Sequence, residues 1–271
     1  MKAPFMRARK RFGQHFLHDR GIIEKIIAAI APAPGEHLVE IGPGLGAITL
    51  PLLDRIGAFD AVEIDRDAIR HLRESAAAHG TLRIHEADVL EFDFAALADG
   101  RKLRLVGNLP YNISTPLLFR LIDQRDTFVD MHFMLQKEVV DRMAASAGDD
   151  DYGRLSVMLA PWLQVEPLFD IGPGAFRPPP KVDSTFVRLR PHAAPPFPLE
   201  DLRRFSTVVA AAFSQRRKTL RNALKPLLSE AEIRAAGIDP GARAETIPPA
   251  GFAALAGMCT KGDARDDNPR D

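Results

Sequence analysis

The chain has 271 residues, 36 Lys+Arg against 36 Asp+Glu, a formal net charge of zero and 46% hydrophobic residues. This length is ample to bury a core in one large domain or a large and a small one, and the ordinary balance excludes a mostly disordered, collagen-like or coiled-coil chain. The single cysteine, Cys259, excludes a disulfide framework and a Cys-rich zinc site, and no apolar run approaches the ~18–20 residues of a membrane span.

The first twenty residues hold six Lys/Arg and one acid, Asp19. They lack the apolar stretch of a secretory signal, so a cytoplasmic location is expected. Ile22, Ile23, Ile26, Ile27 and Ile30 recur at helical spacing, with Asp19 placed to cap the helix and Pro32 and Pro34 to end it. A strand follows at 37–41, then a glycine loop at Gly42–Gly46 and a helix to about Ile56. Strand 59–63, helix 66–78, strand 82–85 and strand 103–106 come next, then a helix at 114–123 and a strand at 129–135. Helices near 137–145 and 154–162 precede two late strands, 165–171 and 185–189. Strands alternating with helices predict a mostly parallel sheet covered on both faces. Phe133, Met134, His132 and Trp162 read as core residues of these elements. Beyond the proline-rich stretch 191–199 no strand is expected, and helices are predicted at 200–213, 215–225, 229–236 and 249–258. The domains expected are therefore 1–190, a linker at 191–199, a helical domain at 200–260, and a polar, disordered tail at 261–271.

Glu40-Ile-Gly-Pro-Gly-Leu-Gly46 lies between a strand and a helix. Glycines there let the backbone turn sharply and approach a ligand closely. The spacing E-x-G-x-G-x-G differs from the G-x-G-x-x-G of dinucleotide enzymes and favours S-adenosylmethionine over NAD. Glu63 ends the second strand about twenty residues on, where an acid accepts from both hydroxyls of a nucleoside ribose. Asp88, after the third strand, is placed to accept from an adenine amino group.

Gly107-Asn-Leu-Pro-Tyr111 follows the fourth strand. It suits methyl transfer to an exocyclic amine of a planar base. Such an amine is a poor nucleophile because its lone pair is delocalised into the ring. One acceptor for each N–H, the Asn108 side-chain oxygen and the Leu109 carbonyl, localises that pair and aims it. Pro110 brings no competing N–H, and Tyr111 offers a flat face for the base. Proximity and orientation then do most of the work, with no metal. Ligands of open α/β sheets bind at the carboxyl ends of strands, where this motif sits.

The chain resembles the KsgA-type ribosomal RNA small-subunit adenine-N6,N6-dimethyltransferases. The likeness is carried by Arg9–Leu17, Val39–Gly46, Gly107–Pro116, Met134–Val139, Tyr152–Ser156, Phe176–Ser184 and Phe213–Asn222. It implies a Rossmann-like S-adenosylmethionine-dependent methyltransferase sheet with a small C-terminal all-helical domain. The implied reaction is dimethylation of two neighbouring adenosines near the 3′ end of small-subunit (16S) rRNA. The implied partner is an assembling 30S particle, and a monomer is expected. Cofactor contacts carry over to His15, Leu17, Gly42, Glu63, Asp88 and Asn108, with Gly44 in the same loop. The family's common Gln-Asn-Phe-Leu reads Gln-His-Phe-Leu here. Phe176, in a loop stiffened by Pro178, Pro179 and Pro180, would cover the target base opposite Tyr111.

Residues 214–225 hold five Lys/Arg and no acid. On a continuous helix Arg217, Lys218, Arg221 and Lys225 would fall on one side, while Phe213, Leu220, Ala223, Leu224 and Leu227 face the core. With Arg216, this side suits a phosphate backbone, and Arg9, Lys10 and Arg11 form a second basic patch. These two segments hold eleven of the 36 Lys/Arg and one of the 36 acids, so neutrality conceals two basic segments on an acidic body. Two other readings share these features. One is a large-subunit rRNA adenine methyltransferase conferring macrolide resistance. The other is a non-catalytic RNA-binding assembly factor.

Overall fold

The computed structural model describes residues 15–110, 113–215 and 217–259. In chain order the elements are β1 (Phe16–Leu17), α1 (Arg20–Ile30), β2 (His37–Ile41), α2 (Thr49–Ile56), β3 (Ala58–Glu63), α3 (Arg66–Ala76), β4 (Thr81–Glu86), α4 (Phe94–Leu97), β5 (Leu103–Asn108) and α5 (Ser114–Asp123). They continue with β6 (Phe128–Gln136), α6 (Lys137–Ala144), α7 (Arg154–Leu159), β7 (Leu163–Ile171), β8 (Phe176–Arg177), β9 (Ser184–Pro191), α8 (Leu202–Phe213), α9 (Leu220–Ala223), α10 (Glu230–Ala235) and α11 (Pro249–Met258).

Seven strands form one sheet in the order β4-β3-β2-β5-β6-β9-β7. β4, β3, β2, β5 and β6 are joined by parallel ladders, whereas β9 runs antiparallel to β6. The chain builds outward from β2 through β3 to β4, then returns to lay β5 on the other side of β2. That reversal opens a crevice at the carboxyl ends of β2 and β5, and register sets Ile41 beside Gly107 there. All five residues of β2 are buried, as expected for a central strand covered on both faces.

The α1 helix starts where the Asp19 carboxylate accepts from the Ile22 N–H at 3.0 Å. It ends at Ala31, in the left-handed region with φ 46°, ahead of Pro32. Its Ile26, Ile27 and Ile30 pack with Leu38, Phe59, Val106, Met134 and Phe186 of the sheet. Phe133, Met134 and His132 are fully buried in β6.

The chain divides into two compact units, one of residues 1–140 and 164–191, the other of residues 141–163 and 192–271. The units part between residues 191 and 192, close to the expected boundary near 190, but residues 141–163, expected in the first domain, fall in the second unit. Residues 141–163 belong with the helical unit because α7 supplies part of its core: Val157 packs with Phe205, Val208, Leu220 and Phe252. Tyr152 adds a hydroxyl that donates to the Ile247 carbonyl at 2.7 Å.

The predicted helix over 215–225 is corrected: among the described residues only Leu220–Ala223 is helical. Thr219 is extended and bridges to Arg243. The Leu220 and Arg221 N–H groups donate to the Ala242 and Pro240 carbonyls. These distant backbone partners replace the local ones a helix needs. The outward and inward sets survive nonetheless, with Leu220, Ala223 and Leu224 buried and Arg217, Lys218, Arg221 and Lys225 exposed. Glu230 lies 3.9 Å from Arg221, so that cation is partly balanced. Helix 154–162 ends early, at Leu159. The two-residue ribbon strands β1 and β8, and α4, had no periodic signal. Arg9, Lys10, Arg11, Tyr111, Arg216 and the tail lie outside the described residues.

Candidate active site

A cavity of about 990 Å³ opens at the crevice between β2 and β5, a size that suits a ligand of nucleoside bulk or larger. His15, Leu17, Gly42, Gly44, Glu63, Asp88, Asn108 and Pro110 all line it. The sequence thus places residues from β1, the glycine loop, and the ends of β3, β4 and β5 around one space.

The glycine loop leaves β2 through Gly42 (φ 65°) and Gly44 (φ 56°), a left-handed region costly for side-chain-bearing residues. Gly42 has nothing within 4 Å of where a Cβ would stand, so backbone faces open cavity. The ring of Phe16 lies across Gly44, 3.5 Å from such a Cβ.

Glu63 is buried, and its carboxylate is held by three backbone N–H groups. Oε2 accepts from Gly44 at 3.2 Å, and Oε1 accepts from Ile64 at 2.9 Å and Asp65 at 2.8 Å. Burial raises its pKa, opposed by those N–H groups. A carboxylate has about four lone-pair sites, so the three bonds leave one acceptor position, at Oε2. The expected grip on both ribose hydroxyls is narrowed to one while these bonds stand. Asp88 is exposed, and its Oδ1 accepts from the Leu90 N–H at 2.9 Å.

Asn108 ends β5. Its Nδ2 donates to the His15 carbonyl at 3.1 Å. Because a carbonyl oxygen only accepts, this contact admits the NH2 end of the amide and turns Oδ1 the other way. The Leu109 N–H donates to the Met134 carbonyl, which continues the ladder one residue past β5 and buries the Leu109 side chain. His15 Nδ1 lies 2.8 Å from the Pro178 carbonyl, so that nitrogen carries the proton.

Phe176 is corrected. In the β1–β8 ribbon it lies directly opposite Leu17. Residues opposite each other share a face, and this one turns into the core with Ile171, Ala175 and Phe186. Phe176 is 3% exposed and does not line the cavity. Phe16 and Arg177, the alternate pair, line the cavity, and Leu17 reaches it from the edge of the core, so Phe176 is the one ribbon residue kept from it.

Sequence reasoning missed Glu40 as a cavity group. It is buried, accepts from the Thr49 hydroxyl at 2.6 Å, and burial pushes its pKa up to about 8. It also missed Ile64, an exposed apolar side chain on the cavity wall. An isoleucine directly after the acidic strand end was the available signal.

The observed site, a glycine loop and an acidic strand end flanking an Asn-Leu-Pro turn at the switch point of a mixed α/β sheet, defines a Rossmann-like methyltransferase. The ribosomal RNA adenine dimethylase profile matches residues 5–261, and the chain belongs to that family. It is 58% identical over 247 residues to the ribosomal RNA small subunit methyltransferase A of Methylococcus capsulatus, covering 91% of this chain and 96% of that protein. The Xanthomonas campestris protein of the same description is 57% identical over 251 residues, covering 93% and 96%. Among solved structures, a dimethyladenosine transferase from Plasmodium falciparum matches with TM-score 0.72 and 26% identity, covering 89% and 96%. The 23S rRNA methyltransferase ErmE matches with TM-score 0.71 and 27% identity, covering 90% and 99%.

Proposed function

We propose that the chain methylates N6 of two adjacent adenosines near the 3′ end of 16S rRNA, with S-adenosylmethionine as methyl donor. It acts in the cytoplasm, as a monomer, on an assembling 30S particle. The small-subunit reading is favoured over the large-subunit one by identities of 57–58% to small-subunit enzymes against 27% to ErmE.

The cavity fits the cofactor: open space at Gly42, a free acceptor position on Glu63 Oε2, and the Asp88 carboxylate further along the same wall. When bound, S-adenosylmethionine supplies a methyl group already activated by an attached positive charge. In this reading Glu63 holds one ribose hydroxyl and Asp88 accepts from the adenine amine. Gly42 and Gly44 admit the ligand against backbone, with His15 and Leu17 on the opposite wall.

The observation that carries the reading is the oriented amide of Asn108. With Nδ2 committed to the His15 carbonyl, Oδ1 accepts one N–H of the target amine, and the Leu109 carbonyl accepts the other. Two acceptors localise the amine lone pair and hold it in line, so orientation supplies the rate. Pro110 shapes the turn, and Tyr111 stacks on the base. Arg217, Lys218 and Arg221, with Arg9, Lys10, Arg11 and Arg216, track phosphates.

Labelled methyl transfer to unmodified small subunits, read as dimethyladenosine by mass spectrometry, tests the reading; large subunits serve as the competing substrate. Asn108→Ala abolishes transfer and leaves subunit binding nearly intact. Full activity in that variant contradicts the role given to Asn108.

A further inference from the structure

His15 joins three segments. Its ring Nδ1 donates to the Pro178 carbonyl at 2.8 Å, and its own carbonyl accepts from Asn108 Nδ2 at 3.1 Å. The following residues pair with β8, Phe16 opposite Arg177 and Leu17 opposite Phe176, and the His18 N–H donates to the Ala175 carbonyl at 2.9 Å. A short ribbon of two-residue strands has little stability of its own. The ring bond ties down its open end, next to the carbonyl that Asn108 uses.

The orientation of that amide decides what a target amine meets. With Nδ2 on the His15 carbonyl, Oδ1 presents an acceptor. Turned by half a rotation, the same side chain would present N–H donors to an amine that also donates, and the lone pair would not be directed.

We propose that His15 is a positioning residue, its ring pinning the 15–18 segment to the 175–178 segment so that its main-chain carbonyl holds the Asn108 amide with Oδ1 available to the target amine. This differs from a direct cofactor contact by the imidazole, and it rests on the role given above to Asn108. It also accounts for the tautomer: the Pro178 carbonyl needs a donor, and Nδ1–H is one in both the neutral and the charged ring. An asparagine at position 15 can supply that donor through its side-chain N–H.

The test compares wild type, His15→Ala and His15→Asn in the full chain. The Asn108 side-chain N–H signals are followed by nuclear magnetic resonance without ligand. Cofactor affinity is read by calorimetry and the rate by methyl transfer at saturating cofactor. In His15→Ala the Asn108 amide signals move towards those of a solvent-exposed amide. With cofactor saturating, so that any change in its Kd is removed from the rate, kcat falls about tenfold or more, as misplacement of a reacting group costs. His15→Asn restores signal and rate. Unmoved Asn108 signals in His15→Ala, or a full rate once cofactor is saturating, overturn the proposal. Should the alanine variant fail to fold, His15→Asn decides: native Asn108 signals with a near-native rate support it, and their loss overturns it. A wild-type protein that transfers no methyl group to unmodified small subunits refutes the proposed function, whereas the Asn108 signals answer separately for the positioning.

Discussion

Glu40 sits 2% exposed at the end of β2, where it accepts from the Thr49 hydroxyl at 2.6 Å and has Glu63 as a charged neighbour. Burial raises its pKa from 4.5 to about 8, the Thr49 bond opposes the rise, and the Glu63 charge adds to it. Between those two values the folded protein keeps a proton that the unfolded chain has released. The folded state therefore binds more protons, and stability falls as pH rises through this window. At 1.36 kcal/mol per pH unit, raising the pH from 4.5 to 8 costs about 5 kcal/mol. Glu40→Gln keeps the shape and an acceptor for Thr49 but cannot ionise. Its stability relative to wild type is expected to climb from pH 5 and level off above pH 8, about 5 kcal/mol higher. Urea unfolding by far-ultraviolet circular dichroism measures this, with the sheet unit's transition fitted separately; Trp162 fluorescence reports the other unit. A stability difference that stays constant from pH 5 to 8.5 would show that Glu40 is already ionised at neutral pH, and the argument from burial would fail.

His132 is fully buried, stacked on Phe186 at 6.0 Å, with no hydrogen-bond partner for either ring nitrogen among the described residues. Burial lowers its pKa from 6.5 to about 4, so stability present above pH 6.5 is lost as pH falls to 4, by about 3 kcal/mol. His132→Phe removes that acid sensitivity; an unchanged urea midpoint difference between pH 4.5 and 7 counts against the assignment. Gly107→Ala sets a Cβ 2.6 Å from the Ile41 carbonyl oxygen, and forcing β2 and β5 apart costs about 1–3 kcal/mol while displacing Asn108; native stability and methyl transfer together would refute the contact. Phe176→Ala removes a buried ring from the core and is expected to cost about 3–5 kcal/mol in urea unfolding, whereas a loss below about 0.5 kcal/mol would return Phe176 to a surface role.

Much of the site was legible because its residues are tied to local grammar. The glycine loop, Glu63, Asp88 and Asn108 each follow a strand that its own apolar run announces, and strands of one parallel sheet end on the same side. The α1 helix was equally plain, since Asp19, the isoleucine spacing and Pro32 are all short-range signals. Where the reading failed, partners distant in sequence decided. Thr219 and Leu220 bond to residues 240–243, which no helical wheel contains. Residues 141–163 join the helical unit through packing of Val157 and Tyr152. Phe176 lay in a motif that suggested a base slot, but its pairing with Leu17 turns it into the core.

The sequence by itself determined the class of sheet, the order of its motifs, the family and the residue types of the site, because periodicity, strand ends and glycine spacing are properties of neighbours along the chain. The tertiary structure alone decided how those groups are set. Burial beside Glu63 keeps a proton on Glu40, three converging N–H groups leave Glu63 one acceptor position, and the His15 carbonyl fixes which end of Asn108 faces out. Charge state and hydrogen-bond direction depend on what lies within about 3–4 Å in space, and that distance is set only when segments far apart in the chain are packed together.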